Sequence, residues 1–242
     1  MARTAVVTGG ARRIGVHIAL FLAGKGFDIA LHYNRSLDDA RNAAREIEKT
    51  GRQCSLFRAD LSSAGQVTDL SREIIDSGTD CAVLINNASV FRRAHLLETG
   101  TDLLKDMFSI NLYAPVILMR EFAKHAQDTG RPLHIINLLD TKITQNHTPY
   151  FGYSLTKKAL ADATVMAARD LGPLVRVNGI SPGLILPSAD SGLEGFNRMK
   201  KDLPLRMAGD PSYITKAVEF LLDNPFITGE ILFIDGGEHT NR

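Results

Sequence analysis

Two residues with complementary acid-base chemistry, Tyr153 and Lys157, lie four positions apart within a helical pattern. Residues at i and i+4 share one face of a helix, so we expect the two side chains to lie side by side. A positive charge beside a phenol favours the phenolate and lowers the pKa of the phenol. A tyrosine tuned in this way can exchange protons near neutral pH, where a free phenol with a pKa of about 10 is a poor catalyst. Taken alone, the pair is a weak signal and is more typical of an exposed contact that contributes about 0.2–0.5 kcal/mol.

The chain around this pair alternates short apolar runs with longer amphipathic stretches. The apolar runs predict strands over residues 4–8, 28–33, 53–58, 81–86, 133–138, 175–181 and 231–234. The amphipathic stretches predict helices that begin at about residue 14 and cover residues 37–50, 64–76, 101–127, 150–171 and 211–222. This alternation predicts an α/β fold, a single-domain Rossmann-type doubly wound parallel sheet of about seven strands with helices on both faces.

We therefore interpret residues 1–242 as one domain, without repeats or a linker. Residues 184–210, rich in Gly, Pro, Ser and charged residues, depart from the alternation and predict an irregular segment. Because long structureless loops are uncommon unless they are lids or binding elements, this segment is predicted to cover a substrate.

The bulk composition argues against several classes of partner. The net charge of +1 gives no electrostatic basis for binding nucleic acid or a membrane surface, and no apolar run is long enough to span a bilayer. The two cysteines, Cys54 and Cys81, lie in predicted strands without metal or disulfide spacing. With no hydrophobic signal region at the N-terminus, the expectation is a cytoplasmic protein with a small-molecule substrate.

A glycine-rich turn follows the first predicted strand. Residues 8–15 read TGGARRIG and run into a helix, whose free N–H groups and positive dipole end favour phosphate. The turn is not a complete G-x-G-x-x-G pattern, because Arg13 stands where a second glycine is expected. A simple tight turn is the alternative interpretation.

The second predicted strand ends in HYNRS, residues 32–36, about 20 residues after the glycine turn. A carboxylate here binds a ribose 2'-hydroxyl, whereas an arginine accommodates a 2'-phosphate. Asn34, Arg35 and Ser36 offer donors and a positive charge with no acid before Asp38, and Arg12 adds a second cation. The pattern favours NADP(H) over NAD(H), with a plain polar loop as the alternative.

These features, taken in order, resemble the short-chain dehydrogenases/reductases, and the resemblance runs nearly end to end. The matching motifs are the glycine turn, Asp60-Leu61, NNAS at 86–89, Asn111, Tyr153-x-x-x-Lys157, Pro182-Gly183, and the closing ITG at 227–229 with DGG at 235–237.

The resemblance implies a role for each matching residue. Tyr153 would be the general acid, Lys157 would lower its pKa and bind the nicotinamide ribose, and Asn111 would hold a proton-relay water. The implied cofactor-binding residues are Gly9, Arg12, Arg13, Ile14, Gly15, Tyr33, Asn34, Arg35, Ser36, Asp60, Leu61, Asn87, Ala88, Ser89, Pro182 and Gly183. The family also implies a homotetramer packed partly through the two long helices.

One position departs from the family pattern. Most members place a serine thirteen residues before the tyrosine, and here that position is Asp140. A carboxylate repels a developing alkoxide but can accept from the N–H groups of a nitrogen heterocycle, so the chain resembles the pteridine reductases and dihydromonapterin reductases. Arg13, HYNRS and Phe91, which can stack on a flat ring, agree with that subgroup. Three alternative interpretations stay open. Arg13 can neutralise a pyrophosphate, and Phe91 can be a core aromatic. Thr141, beside Asp140, can replace the missing serine hydroxyl.

The sequence thus predicts an NADPH-dependent reductase of a pterin or dihydropterin, with Asp140 and Tyr153 as proton donors and Phe91, Arg13, Asp140 and Tyr153 at the substrate. Two alternatives stay open, namely a carbonyl reductase acting on a 3-oxoacyl thioester or a sugar, and a non-catalytic NADP-binding regulatory protein. His147 lies in the same loop as Asp140, but a direct role for it is not expected. No zinc spacing is present among the histidines, so we predict no metal.

Overall fold

Seven parallel strands form one sheet in the order β3-β2-β1-β4-β5-β6-β7. A computed structural model describes residues 3–187 and 192–241. The strands are β1 (Arg3–Val7), β2 (Asp28–Tyr33), β3 (Cys54–Arg58), β4 (Asp80–Asn86), β5 (Leu133–Leu138), β6 (Val175–Pro182) and β7 (Ile231–Ile234). The strand order reverses beside β1, which places the ligand-binding crevice of such a sheet beyond the carboxyl ends of β1 and β4. The predicted fold class is confirmed.

Helices lie between the strands and cover both faces of the sheet. They are α1 (Arg13–Gly24), α2 (Leu37–Glu48), α3 (Ala64–Asp76), α4 (Thr101–Phe108), α5 (Ala114–Thr129), α6 (Phe151–Leu171), α7 (Gly192–Asp202) and α8 (Pro211–Asp223). The predicted element boundaries agree within two residues except at α4–α5 and α7.

The two faces of the sheet hold separate hydrophobic cores. One core packs β1 and β2 against α1, α2 and α8, and Ile18, Ile47 and Ile214 are fully buried there. The other packs α3 and α5 against the sheet, with Leu70 and Phe122 in its centre. Fully burying such a side chain stabilises the fold by about 1.5–3 kcal/mol relative to exposing it. The strands are thereby held firmly, and so are the loops that leave their carboxyl ends.

The single long helix predicted over residues 101–127 is wrong, because a π-helical turn, Ser109–Tyr113, separates α4 from α5. Pro115 lies in the first turn of α5, where its missing N–H costs no intrahelical bond. The side chain of Asn111 bonds to a neighbouring loop instead of facing solvent. Turns of this kind occur frequently at functional sites.

The irregular segment predicted over residues 184–210 is corrected in part, because α7 occupies its centre. Leu193 and Phe196 have a helical spacing. Lys200 and Lys201 lie in the last turn, where their positive charges stabilise the helix by interacting with the negative end of its dipole. The flanking glycines conceal this pattern in the sequence. Residues 188–191 of the segment lie outside the described residues.

Two further expectations concern the chain as a whole. Among the residues that the structure describes, no helix has the length and apolar character needed to cross a membrane. Cys81 is buried as expected, whereas Cys54 is only partly buried. Burial raises the pKa of the Cys54 thiol to about 12, with a smaller effect from the charge of Glu48.

Candidate active site

The carboxylate of Asp140 and the hydroxyl of Tyr153 meet beyond the carboxyl end of β5. Asp140 has an extended backbone and precedes a short 3₁₀ turn, Thr141–Ile143, whereas Tyr153 lies in the first turn of α6. The Tyr153 hydroxyl donates a hydrogen bond of 2.8 Å to Asp140 Oδ2. Asp140 Oδ1 accepts from the backbone N–H of Lys142 at 2.9 Å and from its ammonium at 3.4 Å. The two carboxylate oxygens thus have separate partners, and Oδ2 is committed to the phenol.

The pKa of Tyr153 differs from the sequence-based expectation. It is raised well above its usual value, first by burial, then by the negative charge of Asp140 and the hydrogen bond donated to it, while Ser89 has a smaller opposing effect. The expectation of a phenol whose pKa is lowered by Lys157 is wrong for this structure, because i, i+4 spacing does not reveal burial or the nearby carboxylate. Tyr153 is therefore a neutral phenol, which is the form that can donate a proton.

Lys157 lies beneath Tyr153 and points toward the sheet. Its ammonium donates to the carbonyl oxygen of Leu138 at 2.7 Å and lies 5.9 Å from the centre of the Tyr153 ring. Only 2% of its surface is exposed. Burial lowers the pKa of Lys157 to about 8, against an opposing effect from the charge of Asp140. The lysine thus lies on the same helix face as the tyrosine, as predicted, and is held by the backbone of β5.

Asn111 connects the π-helical turn to the loop after β4 and to α6. Its Oδ1 accepts from Ser89 Oγ at 3.1 Å and from the backbone N–H of Val90 at 2.8 Å. Its Nδ2 donates to the carbonyl of Val90 at 3.0 Å and to Thr156 Oγ1 at 3.2 Å. An amide offers two N–H donors and two acceptor lone pairs, so all four hydrogen-bonding positions of the Asn111 side chain are occupied by protein groups. It fixes the loop against α6, and its role in holding a relay water stays a prediction.

Two aromatic rings and a cation line the space beside Tyr153. Phe91 stacks on Tyr150 with ring centres 4.5 Å apart, and it meets the Tyr153 ring edge to face at 4.7 Å. The Lys142 ammonium lies 5.9 Å from the Phe91 ring centre and 5.7 Å from that of Tyr150. Because Phe91 is partly exposed and lies against the candidate acid, its interpretation as a core aromatic is not supported.

Sequence reasoning missed Lys142 and Tyr150 as members of this cluster. The spacing of Lys142, two residues after the unusual Asp140, was the available signal for the first. No local pattern reveals the second, since Tyr150 meets Phe91 only through the fold.

The hydroxyl of Thr141 does not replace the missing serine. It is 1% exposed and donates to Asp235 Oδ2 at 2.8 Å, behind the backbone of the site. Asp235 also packs against Gly183, where a Cβ would come within 2.6 Å of Asp235 Cβ. Thr141 therefore joins the loop after β5 to the end of β7, and Pro182-Gly183 follows directly in the same layer at the end of β6.

The glycine turn between β1 and α1 is closely packed. Gly9 has a left-handed backbone, with φ of 60°, and Asn87 Nδ2 donates to the carbonyls of Thr8 at 2.8 Å and Gly9 at 3.1 Å. A Cβ at Gly15 would collide with the Gly9 carbonyl and the Asn87 amide. Only glycine fits this contact, which brings the start of α1 against the loop after β4, where Ala88 and Ser89 follow.

Arg13 adopts a left-handed backbone with φ of 54°, a conformation that costs a non-glycine residue about 1–2 kcal/mol. Its guanidinium donates to the carbonyl of Pro187 at 3.0 Å, which joins the glycine turn to the segment after β6. The next residue, Ile14, packs partly buried against the core.

The residues predicted to bind a 2'-phosphate lie together at the end of β2. Arg12 donates to Ser36 Oγ at 3.4 Å and pairs with Asp39 at 3.7 Å, both exposed contacts that contribute little. Hydrogen bonds from Ser62 lower the pKa of Asp60, and the positive charge of Arg35 has a smaller effect in the same direction. Arg35 thus lies near Asp60, at the ends of neighbouring strands.

The remaining residues of this group differ in exposure. Tyr33 and Asn34 are partly exposed at the end of β2, whereas Leu61 is buried in the core against α3. The backbone of Leu61 is therefore the more accessible part of this residue, and its role in cofactor binding stays a prediction.

The predicted cofactor site fits a dinucleotide. The N-cap residue Arg12 makes no side-chain cap hydrogen bond, and the first turn of α1 contains no acidic residue. The N–H groups at this helix end therefore remain for an anion.

His147 lies outside the hydrogen-bonded cluster. Burial lowers its pKa, followed by the positive charge of Lys142. Its Nε2 is buried without a hydrogen-bond partner among the described residues, and the geometry assigns it no direct contact with Asp140.

The motif series, the sheet topology and this site are those of one enzyme family. A family model described as enoyl-(acyl carrier protein) reductase matches residues 9–239. The chain belongs to the short-chain dehydrogenase/reductase family.

Within this family the chain is similar to proteins that act on pterins and folates. It is 31% identical to pteridine reductase 1 of Leishmania tarentolae, over all of this chain and 98% of that protein. The solved structure of FolM alternative dihydrofolate reductase 1 from Brucella suis, in complex with NADP, superposes with a TM-score of 0.93 and 34% identity, over 99% of this chain and 96% of that one. The chain is also 28% identical to the 3-oxoacyl-[acyl-carrier-protein] reductase FabG of Staphylococcus epidermidis, over 98% of this chain and 99% of that protein.

Proposed function

We propose that this chain is an NADPH-dependent reductase of a pterin or dihydropterin ring. The observation that carries the proposal is the Asp140 carboxylate, hydrogen-bonded to the hydroxyl of Tyr153 at 2.8 Å where a carbonyl reductase of this family has a serine. The similarity to pteridine reductase 1 and to FolM supports the same substrate class.

NADP(H) is the proposed cofactor, and it supplies the hydride when bound. The glycine turn and the start of α1 would hold its pyrophosphate, while Arg35, Ser36 and Arg12 would hold the 2'-phosphate. The NADP complex of the FolM neighbour supports this choice. Asp60, Ala88 and the Pro182-Gly183 loop would complete the proposed cofactor site.

Tyr153 is the proposed proton donor. The phenol is protonated at physiological pH, and its raised pKa opposes loss of the proton, so the nearby Lys157 ammonium has to offset this effect during turnover. As the ring is reduced, the O–H bond of Tyr153 breaks and the proton passes to a ring nitrogen, which balances the charge of the hydride. The ammonium of Lys157, below the tyrosine ring, stabilises the phenolate that remains until solvent reprotonates it.

Asp140 is the proposed substrate-recognition group, and its predicted role as a proton donor is not part of this proposal, because a carboxylate that accepts three hydrogen bonds carries no proton to give. Its three hydrogen-bond donors identify it as an ionised carboxylate in this structure. A pterin presents ring N–H and amino groups, which a carboxylate can accept, whereas a ketone presents only an acceptor oxygen. The carboxylate therefore favours the heterocycle and disfavours an alkoxide.

The space between Phe91 and the Pro182-Gly183 loop is the proposed slot for the flat ring. Phe91, backed by the stacked Tyr150 ring, offers an aromatic face for offset stacking. We also propose that the described parts of this segment, residues 184–187 and 192–210 with α7, cover the bound substrate. The bond from Arg13 to Pro187 supports this, since it joins the base of that segment to the glycine turn.

The second candidate is a carbonyl reductase, because the similarity to FabG extends over nearly the whole chain. The hydroxyl that such chemistry needs is not supplied by Thr141, which is bonded to Asp235. A non-catalytic NADP-binding protein has less support, since the family's Asn111, Tyr153 and Lys157 are all present and Tyr153 and Lys157 share one face of α6.

The test compares substrates on one preparation. NADPH oxidation should be followed with dihydrobiopterin, dihydromonapterin, dihydrofolate and an acetoacetyl thioester. We expect kcat/KM for at least one pterin to exceed that for the thioester by about 100-fold or more. A preference for the thioester would favour the carbonyl reductase, and NADPH binding without turnover of any substrate would favour the non-catalytic alternative.

We further propose that the chain forms the homotetramer implied by its family. Exposed apolar side chains on α5 and α6, namely Val116, Val165 and Met166, support packing through these helices. Light scattering after size exclusion measures the mass directly. A monomer at all concentrations would contradict this assembly.

A further inference from the structure

His32 lies inside the fold between the two halves of the proposed cofactor site. It belongs to the HYNRS stretch, but its side chain points inward and is only 2% exposed. Its Nδ1 accepts from the backbone N–H of Gly9 at 3.1 Å, and its Nε2 lies 3.1 Å from the carbonyl oxygen of Ala59. Its own carbonyl accepts from the N–H of Gly10 at 3.1 Å. One residue therefore contacts both the glycine turn and the loop after β3, which begins at Ala59.

The two partners fix the tautomer of the imidazole. A backbone N–H can only donate, so Nδ1 must carry a lone pair toward Gly9. A carbonyl oxygen can only accept, so Nε2 must carry the proton toward Ala59. Burial lowers the pKa of His32, against smaller opposing effects from the Ala59 hydrogen bond and the charge of Asp60, and this direction agrees with a neutral ring.

These contacts determine which N–H groups of the turn remain for a ligand. The N–H groups of Gly9 and Gly10 are both used by His32, and the Gly9 carbonyl is used by Asn87. The Gly9 peptide is thus held from both sides in its left-handed conformation. The donors left for a pyrophosphate are those at the start of α1, and their direction depends on how the turn is held.

We propose that His32 is a positioning residue for NADP(H), which sets cofactor affinity by accepting the Gly9 N–H and by tying the glycine turn to the loop after β3. This inference rests on the NADP(H) binding proposed above. It assigns to His32 no contact with the cofactor itself. The imidazole acts through the backbone of Gly9 on one side and of Ala59 on the other.

The test uses substitutions that keep or remove the acceptor. Asn places an amide oxygen near the Nδ1 position and retains an acceptor for Gly9, whereas Leu has a similar shape and no acceptor. His134→Leu is the matched control, because His134 is a second buried histidine, 5% exposed, that bonds to Asn178 and Arg176 in β6 and not to the turn. The dissociation constant of NADP⁺ is measured by titration calorimetry for each variant, and the melting temperature is measured without cofactor.

We expect His32→Leu to weaken NADP⁺ binding by about tenfold or more, since it leaves the Gly9 N–H without its acceptor. His32→Asn should bind within about threefold of the wild type, and so should His134→Leu even where its melting temperature falls. In the wild type, the imidazole ¹⁵N chemical shifts should be those of the neutral Nε2–H tautomer.

Four results would overturn the inference: His32→Leu binding NADP⁺ as tightly as the wild type, equal losses in the Asn and Leu variants, a loss in His134→Leu as large as in His32→Leu, or the opposite tautomer. Wild-type protein that fails to bind NADP⁺ at all is a different result, which would refute the proposed cofactor.

Discussion

The substitution Tyr153→Phe removes one oxygen atom, that of the hydroxyl assigned as proton donor, and so tests this role directly. In Tyr153→Phe the ring keeps its edge-to-face contact with Phe91 at 4.7 Å, whereas the hydrogen bond to Asp140 and the weaker interaction with Ser89 are lost. A positioned general acid contributes about 10²–10⁴-fold to rate, so kcat should fall by that factor, or about 3–5 kcal/mol of transition-state stabilisation. NADPH affinity should remain unchanged, because the hydroxyl of Tyr153 belongs to the substrate side of the site.

The same substitution has a second consequence for stability. Hydrogen bonds to charged groups contribute about 1.5–3 kcal/mol, but Asp140 keeps both donors from Lys142. The free energy of unfolding should therefore fall by about 1.5–2 kcal/mol, at the lower end of that range. Urea unfolding of the variant checks that the protein remains folded under assay conditions.

Tyr150→Phe is the matched control for this experiment. It removes the same atom from a ring three residues away that stacks on Phe91 in the same cluster. Its kcat should stay within about threefold of the wild type, since no proton transfer is assigned to it. Near-normal turnover in Tyr153→Phe, or an equal loss in both variants, would refute the assignment.

Three further predictions concern other parts of the site. Arg35→Asp should shift the preference from NADPH toward NADH by about tenfold or more, because a carboxylate repels the 2'-phosphate and accepts a ribose hydroxyl; an unchanged ratio of kcat/KM for the two cofactors would refute the role of Arg35. Lys142→Met should raise KM for the pterin by about tenfold without changing NADPH affinity, because Asp140 loses its ion pair. Lys142→Arg should keep the KM near that of the wild type, and an arginine variant with the same high KM would contradict the role of Lys142. The pKa of Lys157, about 8 in the fold against 10.5 ordinarily, makes its ammonium less stable in the folded protein. Lys157 is neutral in both the folded and the unfolded protein above pH 10.5, and charged in both below about pH 8. As the pH rises between these values, the free energy of unfolding of the wild type should therefore rise relative to that of Lys157→Met, by about 3 kcal/mol at most. Urea unfolding at several pH values measures this difference, and a decrease with pH would contradict the assignment.

The architecture was predictable because it depends on patterns that local sequence records. Apolar runs for strands 28–33 and 133–138 and amphipathic stretches for helices 64–76 and 150–171 repeat along the chain, and right-handed crossovers then leave few topologies. The break between α4 and α5 was not predictable from periodicity, because apolar residues keep their helical spacing through residues 109–113. Helix α7 was concealed by glycines that signal loops.

The site was predictable in its residue types and less so in its electrostatics. Tyr153 and Lys157 were identified by spacing and Asp140 by the family resemblance, and the structure brings Asp140 and Tyr153 within one hydrogen bond. The direction in which the Tyr153 pKa shifts was not predictable from the sequence, because it depends on the burial of the phenol and on the Asp140 carboxylate, thirteen residues away. His32 was likewise read as part of a polar stretch, whereas its inward orientation becomes visible only when β1, β2 and β3 are assembled.

The most direct test of the account measures substrate preference with and without the Asp140 carboxylate. The ratio of kcat/KM for the dihydropterin to kcat/KM for the acetoacetyl thioester is determined for the wild type and for Asp140→Ser, with NADPH affinity as the check on the fold. Losing a charged acceptor should lower that ratio by about 10- to 100-fold, mainly through weaker pterin reduction. An unchanged ratio in a variant that binds NADPH normally would contradict the claim that Asp140 selects the substrate.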